Sequence, residues 1–340
     1  MANILIFGFY EERNLGDDLM AVIFFGLLEK IKSIKSEDNH KIYVYSSNPE
    51  FALYGVKTCS DPELIQFDIV LFGGGAFLKS MSNISIAKRL ERLYIYIKKR
   101  KPRVLFASIG SDGNPWPSNI DPCRVRILKN SKPTDSFLMR TFFDVNNATT
   151  YLGIQPEYRQ DILFATAAFL RAKFPEIPAL DENDINLFSI TKKNMLTLLF
   201  LLLQGQLWRE LRFGAIFFAH RKFLQNRKII RTGGELSLPL LPRYDAPSVY
   251  ESCLYLASSK LIITSKLHPG IVALSYGNEA WFINPSLKIR NCILESDKSG
   301  DVLVTFLSRH LLKVKPKRCC EADWQNDLLT SYGNWLANKI

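Results

Sequence analysis

The sequence lacks most of the short motifs that tie a chain to a cofactor. It has no G-x-G-x-x-G turn and no G-x-x-x-x-G-K-[ST] loop, so dinucleotide oxidoreductases and P-loop nucleotidases lose their main support. Neither H-E-x-x-H nor G-x-S-x-G occurs, which removes the zinc-peptidase and serine-hydrolase signatures. No Asp-x-Asp pair is present, the metal clamp of many nucleotide-sugar transferases. The six cysteines (Cys59, Cys123, Cys253, Cys292, Cys319 and Cys320) form no C-x-x-C pair. No zinc spacing or disulfide framework follows, and a reducing cytoplasm is the expected setting. Long apolar runs are missing too. The most apolar stretch, Met195 to Leu203, lies between Lys193 and Arg209 and falls short of the about 20 residues a spanning helix needs, so a core helix is expected there. Met1 to Tyr10 has no basic segment and reads as a strand rather than a signal peptide. There is no low-complexity tract and no repeat of solenoid length.

Acidic residues are in deficit: 33 Asp+Glu face 44 Lys+Arg, a net charge of +11. Such a surplus speaks about partners, which should be anionic: a substrate, nucleic acid or a membrane surface. What the chain does have is apolar content, 47% of 340 residues, enough for packed cores and for two domains.

Short apolar runs alternate with amphipathic ones, the pattern of a mainly parallel sheet flanked by helices. Strands are expected at Ile4 to Gly8, Lys41 to Ser46, Phe67 to Phe72 and Val104 to Ile109. Helices are expected at Leu19 to Lys32, capped by Asp17 or Asp18, and at Ile84 to Lys101. Phe174 to Asp184, rich in proline and acid, reads as a linker. The alternation then restarts with strand Ile185 to Ile190, helix Asn194 to Arg212 and strand Ala215 to Ala219. Helix Pro247 to Ser258, strand Leu261 to Thr264, helix Pro269 to Tyr276 and strand Ala280 to Ile283 follow. Helical segments near Val302 to Leu312 and Glu321 to Lys339 close the chain. The expected domains are residues 1–178 and 185–298, with helices over 299–340 that could pack back on the first domain.

Ligands of open α/β sheets bind beyond the carboxyl ends of strands, so the loops there hold the candidate site residues. The first carries Asn14, Gly16 and Asp17 ahead of a helix: either an anion-binding helix start or a loop merely capped by Asp. The second is Gly73-Gly74-Gly75, which lets backbone amides approach a ligand or simply makes a flexible turn. The third is Thr264-Ser265-Lys266-Leu267-His268-Pro269-Gly270. Here His268 sits at a helix start, where the dipole attracts anions and disfavours imidazolium, beside the fixed charge of Lys266. It is an acid/base candidate or a helix cap. Arg140 is a carboxylate or phosphate clamp or a surface arginine, and His220 also stands at a strand end.

Taken in order, these loops resemble the polysaccharide pyruvyl transferase family. The matching segments are Gly8-Phe9-Tyr10 with Asn14-Leu15-Gly16-Asp17, then Asp68-Ile69-Val70-Leu71-Phe72-Gly73-Gly74-Gly75 and Ile109-Gly110-Ser111-Asp112-Gly113-Asn114-Pro115. Met139-Arg140-Thr141, Gln160-Asp161-Ile162, Lys266-Leu267-His268 through Gly277, and Phe282-Ile283-Asn284 with Lys288 complete the series. Lys266 stands where the family usually has Arg, which keeps the charge and loses the bidentate fork. Glu11-Glu12 replaces the small residues common in the first loop.

The resemblance implies an α/β fold of two Rossmann-like domains in a GT-B-like arrangement with a cleft between them. It also implies a transferase moving pyruvate from phosphoenolpyruvate to two hydroxyls of a surface-polysaccharide sugar or its lipid-linked precursor, as a cyclic ketal. On that reading His268 is the acid/base. Lys266, Arg140, Lys288 and His220 contact substrate, and Asn14, Gly16, Asp17 and Gly73 to Gly75 shape the site. Phosphoenolpyruvate is the donor substrate, with no cofactor and no obligatory metal. The expected location is cytoplasmic, compatible with peripheral attachment to the inner membrane face. Two rivals stand beside it. One is a nucleotide-sugar glycosyltransferase of the same GT-B fold. The other is a non-catalytic protein that binds anionic surfaces through the basic clusters Lys98 to Lys101, Arg221 to Arg231 and Lys313 to Arg318. No nucleic-acid module is recognisable, so nucleic acid is not an expected partner.

Overall fold

The computed structural model describes residues 2–10, 14–34, 40–79, 84–113, 120–130, 132, 135–174, 185–191, 194, 197, 201, 227–230, 243–244 and 248–340. The chain forms two compact units, Met1–Ile162 with Asp327–Ile340, and Leu163–Asn326.

The first unit is built on a seven-stranded parallel sheet of order β3-β2-β1-β4-β5-β6-β7. Its strands are β1 (Asn3–Phe7), β2 (Lys41–Tyr45), β3 (Thr58–Cys59), β4 (Ile69–Gly73), β5 (Arg103–Ile109), β6 (Ser136–Met139) and β7 (Glu157–Tyr158). Helices α1 (Leu15–Ile34), α2 (Ile84–Arg100), α3 (Pro122–Lys129) and α4 (Phe142–Leu152) connect them. The apolar runs of β1, β4 and β5 have no polar alternation because both faces of the sheet are covered; every residue of β4 is buried. Phe72, Phe106 and Phe137 are register partners on β4, β5 and β6. Their rings stack at 4.7 and 4.8 Å, a cross-strand ladder through the core.

The second unit has the sheet order β10-β9-β8-β11-β12-β14-β13. Strands β8 (Ile185–Ser189), β9 (Arg227–Ile230), β10 (Arg243–Tyr244), β11 (Ser259–Thr264) and β12 (Glu279–Ile283) pair in parallel. Strands β13 (Val302–Ser308) and β14 (Leu311–Pro316) add an antiparallel edge. The helices are α5 (Thr166–Lys173), α6 (Val249–Ala257), α7 (Leu267–Ser275), α8 (Leu287–Lys298) and α9 (Ala322–Ala337), whose last turns count with the first unit.

The segment expected as a helix near Val302 to Leu312 is therefore a hairpin. Val302-Leu303-Val304-Thr305-Phe306 is β-branched and aromatic, and pairing with β14, itself paired to β12, rewards that composition. Asp17 and Asp18 do not cap α1; the helix begins at Leu15, and both lie in its first turn.

This partition of the chain differs from a boundary at residue 178. Helix α5 packs with the second unit, where the Ala168 N–H donates to Gln325 Oε1 at 2.7 Å. The Gln325 amide donates in turn to the Ser275 and Cys319 carbonyls. Most of the expected linker, residues 175–184, lies outside the described residues, as do strand Ala215 to Ala219 and most of helix Asn194 to Arg212.

Candidate functional site

In the first unit the carboxyl edge of the sheet gathers the loops after β1, β4, β5, β6 and β7. The loop after β1 turns inward. Tyr10 is fully buried, and its hydroxyl donates to the Gly73 carbonyl at 2.8 Å, tying the end of β1 to the end of β4. Phe9 is buried as well. Asn14 donates to Asp17 Oδ2 at 2.7 Å, and its carbonyl accepts from Asp18 N.

Gly74 and Gly75 have φ of 88° and 82°, left-handed values that suit glycine. A Cβ on Gly74 would fall on the Met20 thioether, and one on Gly75 would lie 2.8 Å from Asp17 Oδ1. The triple glycine thus lets α1 approach the end of β4. Asp18, 2% exposed, has an Oδ1 without a hydrogen-bond partner. Burial, then the charges of Asp17 and Glu50, push its carboxyl well above the ordinary range. Burial likewise raises the Tyr10 phenol, with Asp17 and Asp18 adding to it.

Arg140 is not a surface arginine. It is 2% exposed and pairs through Nη1 with Asp161 Oδ2 at 2.9 Å, with both side chains sequestered. Asp144 stands beside it. Its Oδ2 accepts from Thr141 Oγ1 at 2.6 Å and from Ser111 N at 3.2 Å. A Cβ on Gly110 would lie 2.5 Å from Arg140 Nε and 3.0 Å from Asp144 Oδ2, so glycine there makes room for the ion pair. Next to this group β5 carries a register shift, and Ser108 sits at φ 55°, a strained value for a residue with a side chain. Its hydroxyl accepts from Ile162 N at 3.2 Å.

Arg124 has no counterpart in the sequence expectations. It is wholly buried on α3, donates to the Phe77 carbonyl at 2.8 Å and lies 4.9 Å from the Phe9 ring centroid. It holds the segment after the triple glycine to the first loop. Nothing in its local sequence, Cys123-Arg124-Val125, distinguishes it from a surface helix arginine.

In the second unit the carboxyl ends of β8, β11 and β12 are joined by polar side chains. Thr264 Oγ1 donates to the Ser189 carbonyl and accepts from Lys266 N, both at 3.0 Å. Ser265 Oγ accepts from Thr191 N at 3.0 Å. Asn194 donates to Thr191 Oγ1, and Asn284 to Asn194 Oδ1 at 2.9 Å. Asn284 is exposed, immediately follows β12 and has φ 46°, a left-handed conformation that asparagine tolerates.

Helix α7 starts here, two residues earlier than Pro269. Lys266 is its N-cap, with no side-chain cap bond, and His268 lies in its first turn, 5% exposed. The proline is tolerated because the first turn has no partners for its N–H groups. Close packing continues at Gly270, where a Cβ would meet the Phe282 ring. Lys288 occupies the first turn of α8, which follows the adjacent strand and is capped by Ser286.

The two edges thus carry opposite chemistry. Buried carboxyls and left-handed glycines line the first, and Lys266, His268 and Lys288 gather in helix starts on the second. His220 lies outside the described residues, as does most of the stretch Gln225 to Pro247. Among the described residues no three His, Cys, Asp or Glu side chains form a metal-ligand group. No described helix is long and apolar enough to cross a membrane.

No family model and no curated protein matches the sequence. Solved structures do resemble the fold. A Listeria monocytogenes protein assigned as a UDP-N-acetylglucosamine 2-epimerase superposes with a TM-score of 0.53 at 12% identity, covering 99% of this chain and 88% of its own. The Staphylococcus aureus MnaA structure with UDP gives 0.52 at 11% identity over 91% and 85%. The UDP-GlcNAc 2-epimerase of Methanocaldococcus jannaschii gives 0.51 at 11% identity over 96% and 91%. The chain accordingly has the α/β, GT-B-like fold of two Rossmann-like units. At such identities the likeness is one of fold alone.

Proposed function

We propose that the chain transfers pyruvate from phosphoenolpyruvate to a sugar of a surface polysaccharide or its lipid-linked precursor. The observation that carries this reading is that Lys266 and His268 share the start of α7, which has no side-chain cap, while Lys288 opens α8 after the neighbouring strand. The positive end of a helix dipole and fixed cations together suit the phosphate and carboxylate of the donor.

A sugar hydroxyl adds to C2 of the enol while C3 takes up a proton, forming C2–O and C3–H bonds. A second hydroxyl then displaces phosphate by breaking the C2–O(phosphate) bond, its proton leaving with the phosphate, and closes the ketal. His268 takes the hydroxyl proton and supplies the one at C3, and Lys266 and Lys288 hold the anionic groups. In the first unit, Arg140 acts as a positioning residue through Asp161, a role that its burial favours over direct contact. The exposed basic end of α2, Lys98 to Lys101, supports attachment to an anionic membrane face where lipid-linked acceptors reside.

A second reading, nucleotide-sugar processing, draws on the UDP- and UDP-GlcNAc-related structures that share the fold. Thermal-shift screening with phosphoenolpyruvate and with UDP-sugars separates the two. Selective stabilisation by phosphoenolpyruvate, with phosphate released in the presence of an acceptor panel, is the expected result. Selective stabilisation by a UDP-sugar would sink the pyruvyl reading.

A further inference from the structure

Asn284 takes no part in the reaction steps proposed above, yet it stands among the residues assigned to them. Strands β11 and β12 run parallel with Thr264 opposite Phe282, so Lys266 and Asn284 each lie two residues beyond a register pair. Adjacent strands are about 4.8 Å apart, and the chain therefore leaves the sheet at neighbouring points. Lys288 follows Asn284 on the same connection, in the first turn of α8.

The residue is held from two sides. Its backbone N–H donates to the His310 carbonyl at 2.7 Å. Its Nδ2 donates to Asn194 Oδ1 at 2.9 Å, Asn194 donates to Thr191 Oγ1 at 3.2 Å, and Thr191 N donates to Ser265 Oγ at 3.0 Å. These bonds link the ends of β12, β8 and β11. Asn194 is 9% exposed, so the Asn284 amide is anchored on a buried group. Left-handed φ is taken by glycine at Gly153, Gly277 and Gly300, but by asparagine here. Glycine would adopt that conformation without steric cost, so the turn itself does not call for an amide.

What the anchored amide leaves over is Oδ1. Asn284 is exposed, and this oxygen accepts from no described residue. A carboxamide oxygen can only accept. The phosphate and carboxylate of phosphoenolpyruvate are ionised at neutral pH and offer it no donor, whereas a sugar hydroxyl does. Lys266 and Lys288 suit anions, and Asn284 beside them suits a neutral group that donates.

We propose that Asn284 is a specificity-determining residue of this site, its Oδ1 accepting a hydrogen bond from a hydroxyl of the sugar that receives pyruvate. The identity of that sugar as the pyruvate acceptor rests on the function proposed above.

Two measurements on the full chain test it, both with methyl glycosides of glucose, galactose, mannose and N-acetylglucosamine: phosphate release from phosphoenolpyruvate, and saturation-transfer NMR. Asn284→Gly keeps the left-handed backbone and removes the amide. It should raise the acceptor KM about tenfold, the loss of one hydrogen bond, and leave KM for phosphoenolpyruvate within about twofold. A donor KM that holds also reports that the variant is folded. Asn284→Asp keeps an acceptor atom and adds a negative charge. It should hold the acceptor KM within about threefold and raise KM for phosphoenolpyruvate instead. A side chain that only braced the loop would move both constants together in the glycine variant. That result, an unchanged acceptor KM, or neither binding nor turnover of any glycoside would overturn the proposal. Glycoside binding that Asn284→Gly weakens, without phosphate release from phosphoenolpyruvate, would keep Asn284 as a sugar contact and remove the pyruvyl reading. Turnover with a wild-type acceptor KM in Asn284→Gly would do the reverse.

Discussion

The carboxyl edges of the two sheets are built from different materials. On the first, the charged groups are inside: Asp18, Asp144 and Asp161 are buried, and Arg140 is 2% exposed against Asp161. On the second, a half-buried lysine caps a helix with no side-chain cap bond, a buried histidine lies in its first turn, and an exposed asparagine follows the adjacent strand. Buried, mutually bonded charges fix backbone geometry, and they are costly to disturb. A half-buried lysine at a helix start costs less to the fold, and on the function proposed above it contacts the donor's anionic groups. The motif order that led to both edges makes no such distinction. On the function proposed above, a substitution at the first edge should change stability and one at the second should change turnover.

The largest expected effect tests the second edge. His268→Ala should lower phosphate release from phosphoenolpyruvate by about 10²–10⁴, the usual contribution of a positioned acid/base. Its thermal midpoint should change far less than that of the Arg140 variant below. Lys266→Met should raise KM for phosphoenolpyruvate more than it lowers kcat. Wild-type release by the His268 variant would end its assignment and with it the contrast between the edges.

The next effect belongs to the first edge. Arg140→Met leaves Asp161 buried without its cation, which typically costs about 3–5 kcal/mol. Urea unfolding should show that loss. A variant of unchanged stability but lost turnover would mean that Arg140 touches substrate, and the two edges would no longer differ in kind.

Much of this fold is legible in the sequence. Uninterrupted apolar strands such as Ile69–Gly73 announce a sheet covered on both faces, and the glycines after it mark a close approach. The hairpin β13–β14 was not legible as such, because a run like Val302-Leu303-Val304-Thr305-Phe306 suits a strand only where another strand is present to pair with it. Arg140 and Arg124 were opaque for the same reason. Whether an arginine is buried depends on a carboxylate or carbonyls brought in from elsewhere: Asp161 lies 21 residues from Arg140, and Phe77 lies 47 residues from Arg124. His268 was visible as a residue at a helix start, but the true start at Leu267 required the Lys266 backbone to bond Thr264.

A smaller effect is expected at the triple glycine. Gly74→Ala forces a side chain into φ 88° and onto the Met20 thioether. Strain and overpacking of that kind cost on the order of 1–3 kcal/mol. Chemical denaturation should report it, with phosphoenolpyruvate KM unchanged if the donor sits on the second edge. A rise in KM that exceeds the loss of stability would transfer donor binding to the glycine loop.

The smallest effect sharpens the contrast through pH. Asp18 is buried beside Asp17 and Glu50, and burial raises its carboxyl above the ordinary 3.8. The folded chain therefore holds this proton more tightly than the unfolded chain does. The stabilisation this provides is complete below the unfolded value and is lost as pH rises through the raised folded one. At pH 7 folding must either bury the charge of this carboxyl or take up a proton, and either opposes folding, so Asp18→Asn, which keeps the shape and removes the charge, should raise the urea midpoint there. The advantage should shrink as pH falls through the raised value and vanish below about pH 3.8, where wild type also carries the proton. Replacing Lys266 with Gln, by contrast, should shift the midpoint little at any of these pH values, since a half-buried lysine at a helix start has solvent on one side. If Asp18→Asn is instead less stable at pH 7, the ionised carboxylate has a favourable partner in the folded chain. The first edge would then hold charge for use, as is proposed for the second.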